Sequence, residues 1–120
     1  MNDNNCSELK WPVRDFWERE SCGEVYASGG DFDAHAKRRY ELEPFIFEFA
    51  RFHEGTDRDV LEIGVGMGAD HLQWAKSKPR SLTGIDLTAR AIQHTHRRLA
   101  AHGRESHLVQ GDAECLEFAE

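Results

Sequence analysis

Asp59-Val60-Leu61-Glu62-Ile63-Gly64-Val65-Gly66-Met67-Gly68 decides how this chain is read. A short apolar run delivers an acid into a turn with glycines at alternating positions. Glycine there allows positive φ and lets a ligand approach a backbone that has no Cβ in the way. Two further apolar runs end the same way. Leu82-Thr83-Gly84-Ile85 leads to Asp86, and Leu108-Val109-Gln110-Gly111 leads to Asp112.

Between these runs lie longer amphipathic stretches. The pattern predicts strands at 60–63, 81–85 and 106–110, with helices over 68–76 and 89–101. Leu72, Ala75 and Trp74 form the apolar side of the first helix, and Pro79 ends it. In the second helix Thr88 is the expected N-cap, Ile92, Thr95 and Leu99 point inward, Arg97 and Arg98 form a solvated face, and Gly103 ends the helix. Strands separated by ten or more helical residues cannot be hairpins, so they run parallel through right-handed crossovers. The expected fold is α/β, a doubly wound parallel Rossmann-like sheet in which ligands bind outside the carboxyl ends of the strands.

Residues 1–54 differ in character. They are rich in aromatic and charged residues and read as an N-terminal helical segment preceding a sheet domain over 55–120. Pro12 suits a helix first turn near 12–20. Asp31 or Asp33 caps a helix to about Leu42, and Pro44 opens another. Phe45, Phe49 and Phe52, spaced by four and three, are expected to bury one face of that last helix.

The 120 residues suffice for one domain with a modest core, at 39% hydrophobic content. With 22 acidic against 15 basic residues and a net charge of −7, there is no field to attract a polyanion, so nucleic acid is not an expected partner. No run reaches the ~18–20 apolar residues of a membrane span, and the first residues lack a secretion signal. A cytoplasmic protein is expected. Cysteines at 6, 22 and 115 are odd in number and far apart, and read as free thiols. The seven histidines show no metal-ligand spacing and read as structural or surface groups, so no metal is expected.

The glycines alone admit two ligands. Gly64-x-Gly66-x-Gly68 fits a loop against a nucleoside, and Gly64-x-Gly66-x-x-Ala69 fits a dinucleotide fingerprint. Asp86, 22 positions after Gly64, suits a ribose acceptor in either case. Glu62 separates them, since a carboxylate beside the turn disfavours a pyrophosphate and favours a ligand carrying an ammonium and a sulfonium.

Together, Val60 to Gly68, Leu82 to Thr88 and Gly111-Asp112-Ala113-Glu114 resemble the first three motifs of class I S-adenosylmethionine-dependent methyltransferases, of the small bacterial type with a GDAE-like third motif. The resemblance covers about residues 58–118. It implies S-adenosyl-L-methionine as cofactor and makes the helical segment 1–54 a cap or lid over the cofactor site, with Tyr40 and Arg39 the candidates for a lid contact. Glu62 would reach the methionine ammonium and the backbone of Gly64, Gly66 and Gly68 would line the methionine and ribose. Asp86 would accept from the ribose hydroxyls and Asp112 from the adenine amine. The Ala113 amide would support the ring, with Leu87 and Leu116 flanking it.

Methyl transfer from a sulfonium is an in-line displacement, for which orientation alone can supply about 7–11 kcal/mol. No residue stands out as a catalytic base. The acceptor is unidentified, with a small molecule favoured, and the oligomeric state is not legible. The family's domain is longer, so the chain is expected to be the N-terminal part of such an enzyme, ending after the third strand. A nicotinamide-dependent oxidoreductase and a noncatalytic remnant of the fold are the alternatives.

Overall fold

A computed structural model describes residues 32–115, together with Pro12. The predicted helix near 12–20, the loop at 21–30, most of the N-terminal aromatics and Leu116 lie outside the described residues.

Among the described residues three strands form the sheet: β1 (Asp59–Ile63), β2 (Ser81–Asp86) and β3 (His107–Gln110), in the order β1-β2-β3. Both pairings are parallel. Val60 lies beside Leu82, Glu62 beside Gly84 and Gly84 beside Leu108. The strands are joined by helices α3 (Ala69–Lys76) and α4 (Ala89–Ala101), preceded by α1 (Phe32–Leu42) and α2 (Ile46–Ala50). This is the Rossmann-like α/β arrangement expected from the alternation of runs.

One face of the sheet carries Val60, Leu82, Gly84 and Leu108, and on it sit α3 and α4. Leu72, Ala75, Leu82 and Leu99 make the core, with Val60 and Trp74 packed against it. Gly84 is there because the sheet and α3 close on it. A Cβ would lie 2.8 Å from His71 Cε1 and from Val65 Cγ1. The other face shows Leu61 and Ile63 exposed among the described residues.

The ends of α4 follow local chemistry. The Thr88 hydroxyl accepts from the Ala91 N–H at 3.1 Å, an N-cap where the sequence placed it. At the other end Gly103 takes φ +66°, the Arg104 N–H bonds to the Leu99 carbonyl and the Gly103 N–H to that of Ala100, a complete Schellman motif. Ala91, His94, Thr95, Arg98 and Leu99 are its buried residues, a stripe of 3.6-residue period.

That stripe overturns the reading of Arg98 as solvated. Arg98 is 1% exposed, three residues after Thr95 and seven after Ala91. Its Nη2 donates to the Phe32 carbonyl at 3.0 Å and to His35 Nδ1 at 2.9 Å, and its guanidinium lies 4.9 Å from the Phe32 ring centroid. Helix α1 lies over α4 at this point. Burial pulls the Arg98 pKa down to about 10.

The phenylalanine stripe also differs from expectation. Helix α2 stops at Arg51, in left-handed conformation at φ 54°, and the chain continues as a 3-10 turn over Phe52–Gly55. The helical spacing is broken there, so Phe52 and Ile46 are buried while Phe45 and Phe49 are exposed. Phe52 continues an aromatic series, Tyr40 to Phe47 to Phe52 to Trp74, with centroids 4.6, 5.5 and 4.8 Å apart, which ties α1 and α2 to α3. Cys115 is disulfide-bonded, which corrects its reading as a free thiol. Distance along the chain did not measure distance in space. No helix among the described residues is long and apolar enough to cross a membrane.

Candidate functional site

The glycine turn leaves β1 and enters α3 with three positive φ angles, +77° at Gly64, +56° at Gly66 and +84° at Gly68. The three glycines serve different ends. A Cβ on Gly64 or Gly66 would meet nothing within 4 Å, so both face open space. A Cβ on Gly68 would lie 2.8 Å from Thr95 Oγ1, so Gly68 allows α3 and α4 to pack. The turn is fixed from behind, because the Gly64 N–H bonds to the Ile85 carbonyl at 2.7 Å and Thr95 Oγ1 donates to the Gly66 carbonyl at 3.1 Å.

Asp86, at the end of β2, holds the turn as well. Its Oδ2 accepts from the Gly66 N–H at 3.0 Å, and its Oδ1 accepts from the Thr88 N–H at 3.1 Å and hydroxyl at 3.2 Å. A carboxylate has about four acceptor sites. Three are thus occupied, and Oδ2 keeps one that a ribose hydroxyl could use. Leu87 follows, half-buried, its carbonyl accepting from Gln110 Nε2.

The third strand end lies alongside. The Gly111 N–H bonds to the Asp86 carbonyl at 2.9 Å, which draws the residues after β3 to the end of β2. Asp112 is buried, and its Oδ1 accepts from the Glu114 N–H at 2.9 Å. Ala113 opens a single 3-10 turn. Glu62 therefore stands just inside the carboxyl end of its strand, Asp86 at the end of the next and Asp112 two residues beyond the third.

A cavity of about 150 Å³ opens beside the turn, lined by Glu62, Gly64 through Asp70, His35 and Arg39. Asp86 reaches its wall through the Gly66 amide, whereas Asp112 is not part of its lining. Helix α1 closes its other side. Arg39 donates to both Asp70 oxygens, at 3.0 and 2.8 Å, and the Tyr40 hydroxyl donates to Asp70 at 2.8 Å. Arg39 thus lines the cavity, and Tyr40 stands behind Asp70 on its wall. Burial raises the Asp70 pKa, but the bonds from Arg39 and Tyr40 outweigh it and the net shift is downward.

Sequence reasoning missed the residue behind Glu62. His71, wholly buried on α3, places Nδ1 2.9 Å from Glu62 Oε1 and Nε2 2.7 Å from Ser106 Oγ, which also donates to the Leu82 carbonyl at 3.0 Å. Burial pushes the Glu62 carboxyl above its ordinary pKa, against the opposing pull of His71. The available signal was spacing, since a residue nine positions on in a strand-turn-helix unit folds back over the strand it left. Among the described residues no cluster of His, Cys, Asp or Glu could hold a metal ion.

This fold, with a glycine turn and an acid at successive strand ends, defines a Rossmann-like α/β domain. A family model described as a methyltransferase domain matches residues 60–120, just over half of the chain, and the chain belongs to that family. Among solved structures it is similar to a precorrin-8W decarboxylase of Methanobacterium thermoautotrophicum, with 27% identity and a TM-score of 0.51 over 59% of this chain. The chain spans 39% of that protein's length. No curated protein matches.

Proposed function

We propose that the chain is the cofactor-binding part of an S-adenosylmethionine-dependent methyltransferase acting on a small-molecule acceptor. One observation carries this reading: a partly buried carboxylate, Glu62, lines the same cavity as two glycines whose missing Cβ atoms leave open space. An acid whose charge is disfavoured by desolvation gains most from a cationic partner, and a methionine ammonium is such a partner. A pyrophosphate in the same place would add anionic charge to an anionic wall.

The remaining residues fit the rest of the cofactor. The open acceptor site on Asp86 suits a ribose hydroxyl, and Asp112 with the Ala113 amide suits the adenine edge. Leu87 supplies an apolar contact for the ring. When bound, the sulfonium supplies an already activated methyl group. This chain's residues then bind and orient the donor. Arg39, Tyr40 and Asp70 hold α1 across the cavity mouth and limit access of water there.

Isothermal calorimetry with S-adenosylhomocysteine on the full chain tests the reading. Binding is expected, with NAD giving no heat, and Asp86→Ala is expected to weaken affinity tenfold or more. Folded protein that binds NAD instead overturns it in favour of an oxidoreductase, and folded protein that binds neither favours a noncatalytic remnant.

A further inference from the structure

Hydrogens around His71 can be counted, because its ring is wholly buried and both nitrogens have a partner. Ser106 has one hydroxyl hydrogen and two acceptors in reach, His71 Nε2 at 2.7 Å and the Leu82 carbonyl at 3.0 Å. When that hydrogen goes to Leu82, Nε2 must itself carry a proton and donate to Ser106 Oγ. With Nδ1–H donating to Glu62, the pair is then imidazolium and carboxylate, net neutral. When the hydrogen turns to Nε2, His71 is neutral, Nδ1–H still donates to Glu62, and the pair carries one negative charge. Rotation of one hydroxyl accommodates both states with no movement of the ring.

We propose that His71 is a positioning residue that stores one releasable proton behind Glu62, with the Ser106 hydroxyl as its switch, so that an ammonium arriving at Glu62 expels that proton to solvent. This rests on the reading of Glu62 as the carboxylate that meets the cofactor's ammonium. The unloaded pair presents a full negative charge to the cavity. The loaded pair presents none, so a cation selects the unloaded state.

Charged and titratable groups face the pair from the elements packed around it. Helix α1 presents His35, held down to about 4 by burial and by Arg98 and Arg39, so it is neutral. It also presents Arg39 and Tyr40, both bonded to Asp70 of α3, whose pKa is lowered. Burial likewise raises the Tyr40 pKa, keeping the phenol neutral. Asp86 of β2 faces the turn through the Gly66 amide, and His94 of α4, against Met67, is held neutral by burial and nearby arginines. Burial lifts the Glu62 carboxyl above its ordinary value, which favours a proton on the pair. The proton has a way out: Ser106 lines a crevice of about 880 Å³ bounded by Lys78, Arg80, His96 and Arg104.

Labelled full chain is titrated by NMR between about pH 5.5 and 9, a range that brackets the ordinary histidine pKa, following the His71 ring nitrogens and the Glu62 carboxyl carbon. One transition shared by both is expected. S-adenosylhomocysteine should move it to lower pH, and its Kd should fall up to tenfold per pH unit below the transition and be flat above it. His71→Asn, whose amide can donate to Glu62 but takes up no proton, should keep the high-pH affinity and lose the slope. Ser106→Ala removes the acceptor for Nε2–H and should move the transition to lower pH.

A ring and carboxyl that do not titrate, or that titrate apart, overturn the proposal, as does His71→Asn with an unchanged slope. If that variant does not fold, the wild-type titration decides alone. A shared transition in protein that binds no S-adenosylhomocysteine at any pH supports the stored proton and counts against the cofactor reading.

Discussion

Gly68→Ala and Gly66→Ala look alike in sequence and should behave differently, because only one of these glycines has a neighbour. Both sit at positive φ, which costs a residue bearing a Cβ about 1–2 kcal/mol. At Gly66 that is the whole cost, since the new methyl enters open space. At Gly68 the methyl would lie 2.8 Å from Thr95 Oγ1 and 3.0 Å from Thr95 Cα and Cγ2, so α3 and α4 must part. Overpacking of this kind adds about 1–3 kcal/mol, for a total of about 2–5 kcal/mol. Urea unfolding followed by circular dichroism measures both, at an m value of about 1–3 kcal/mol/M. Thr95→Ala removes two of the three clashing atoms, so a double-mutant cycle should show about 1–2 kcal/mol of coupling with Gly68→Ala. Additive effects, or a Gly68→Ala midpoint no lower than that of Gly66→Ala, would refute the packing argument. Gly66→Ala should instead fold and lose affinity for S-adenosylhomocysteine, as its methyl occupies the space the ligand needs.

Other expectations follow from the site's neighbours. Thr88→Ala removes the N-cap of α4 together with a donor to Asp86, and should cost about 1 kcal/mol in urea while also weakening cofactor affinity; Thr88→Ser should restore both. Asp70→Asn breaks the tie of Arg39 and Tyr40 to α3 and should cost about 1–2 kcal/mol, discounted because the Arg39 side chain is 36% exposed. His35 gives a pH signature. Its folded pKa, about 4, lies below the ordinary 6.5, so the unfolded chain takes up a proton first and stability falls as pH drops from about 6.5 to about 4. His35→Gln should flatten that window in pH-dependent urea midpoints, and an unchanged acid limb would contradict the assignment. Asp70, lowered in the fold, loses its contribution only at more acid pH.

The strands and crossovers were legible because a parallel sheet writes itself as short apolar runs between amphipathic ones, and each run here ends on an acid or glycine. Thr88 and Gly103 were readable for the same local reason. What the sequence hid was tertiary. Arg98 looks like a surface cation until α1 covers it, Phe49 looks like core until Arg51 ends the helix, and His71 is one histidine of seven until α3 folds back on Glu62. In the site, the three acids could be placed at strand ends from spacing. That Asp86 already holds the Gly66 amide, and that the cavity beside the turn includes Glu62 but not Asp112, needed coordinates.

The central claim is that three strand ends build one seat for one nucleoside. Amide chemical-shift mapping with S-adenosylhomocysteine tests it most directly. Shifts are expected together at Gly64 to Gly68, at Leu87 and Thr88, and at Asp112 and Ala113, with the distant crevice at Lys78 and Arg104 quiet. Shifts confined to that crevice, or to one strand end alone, would contradict it.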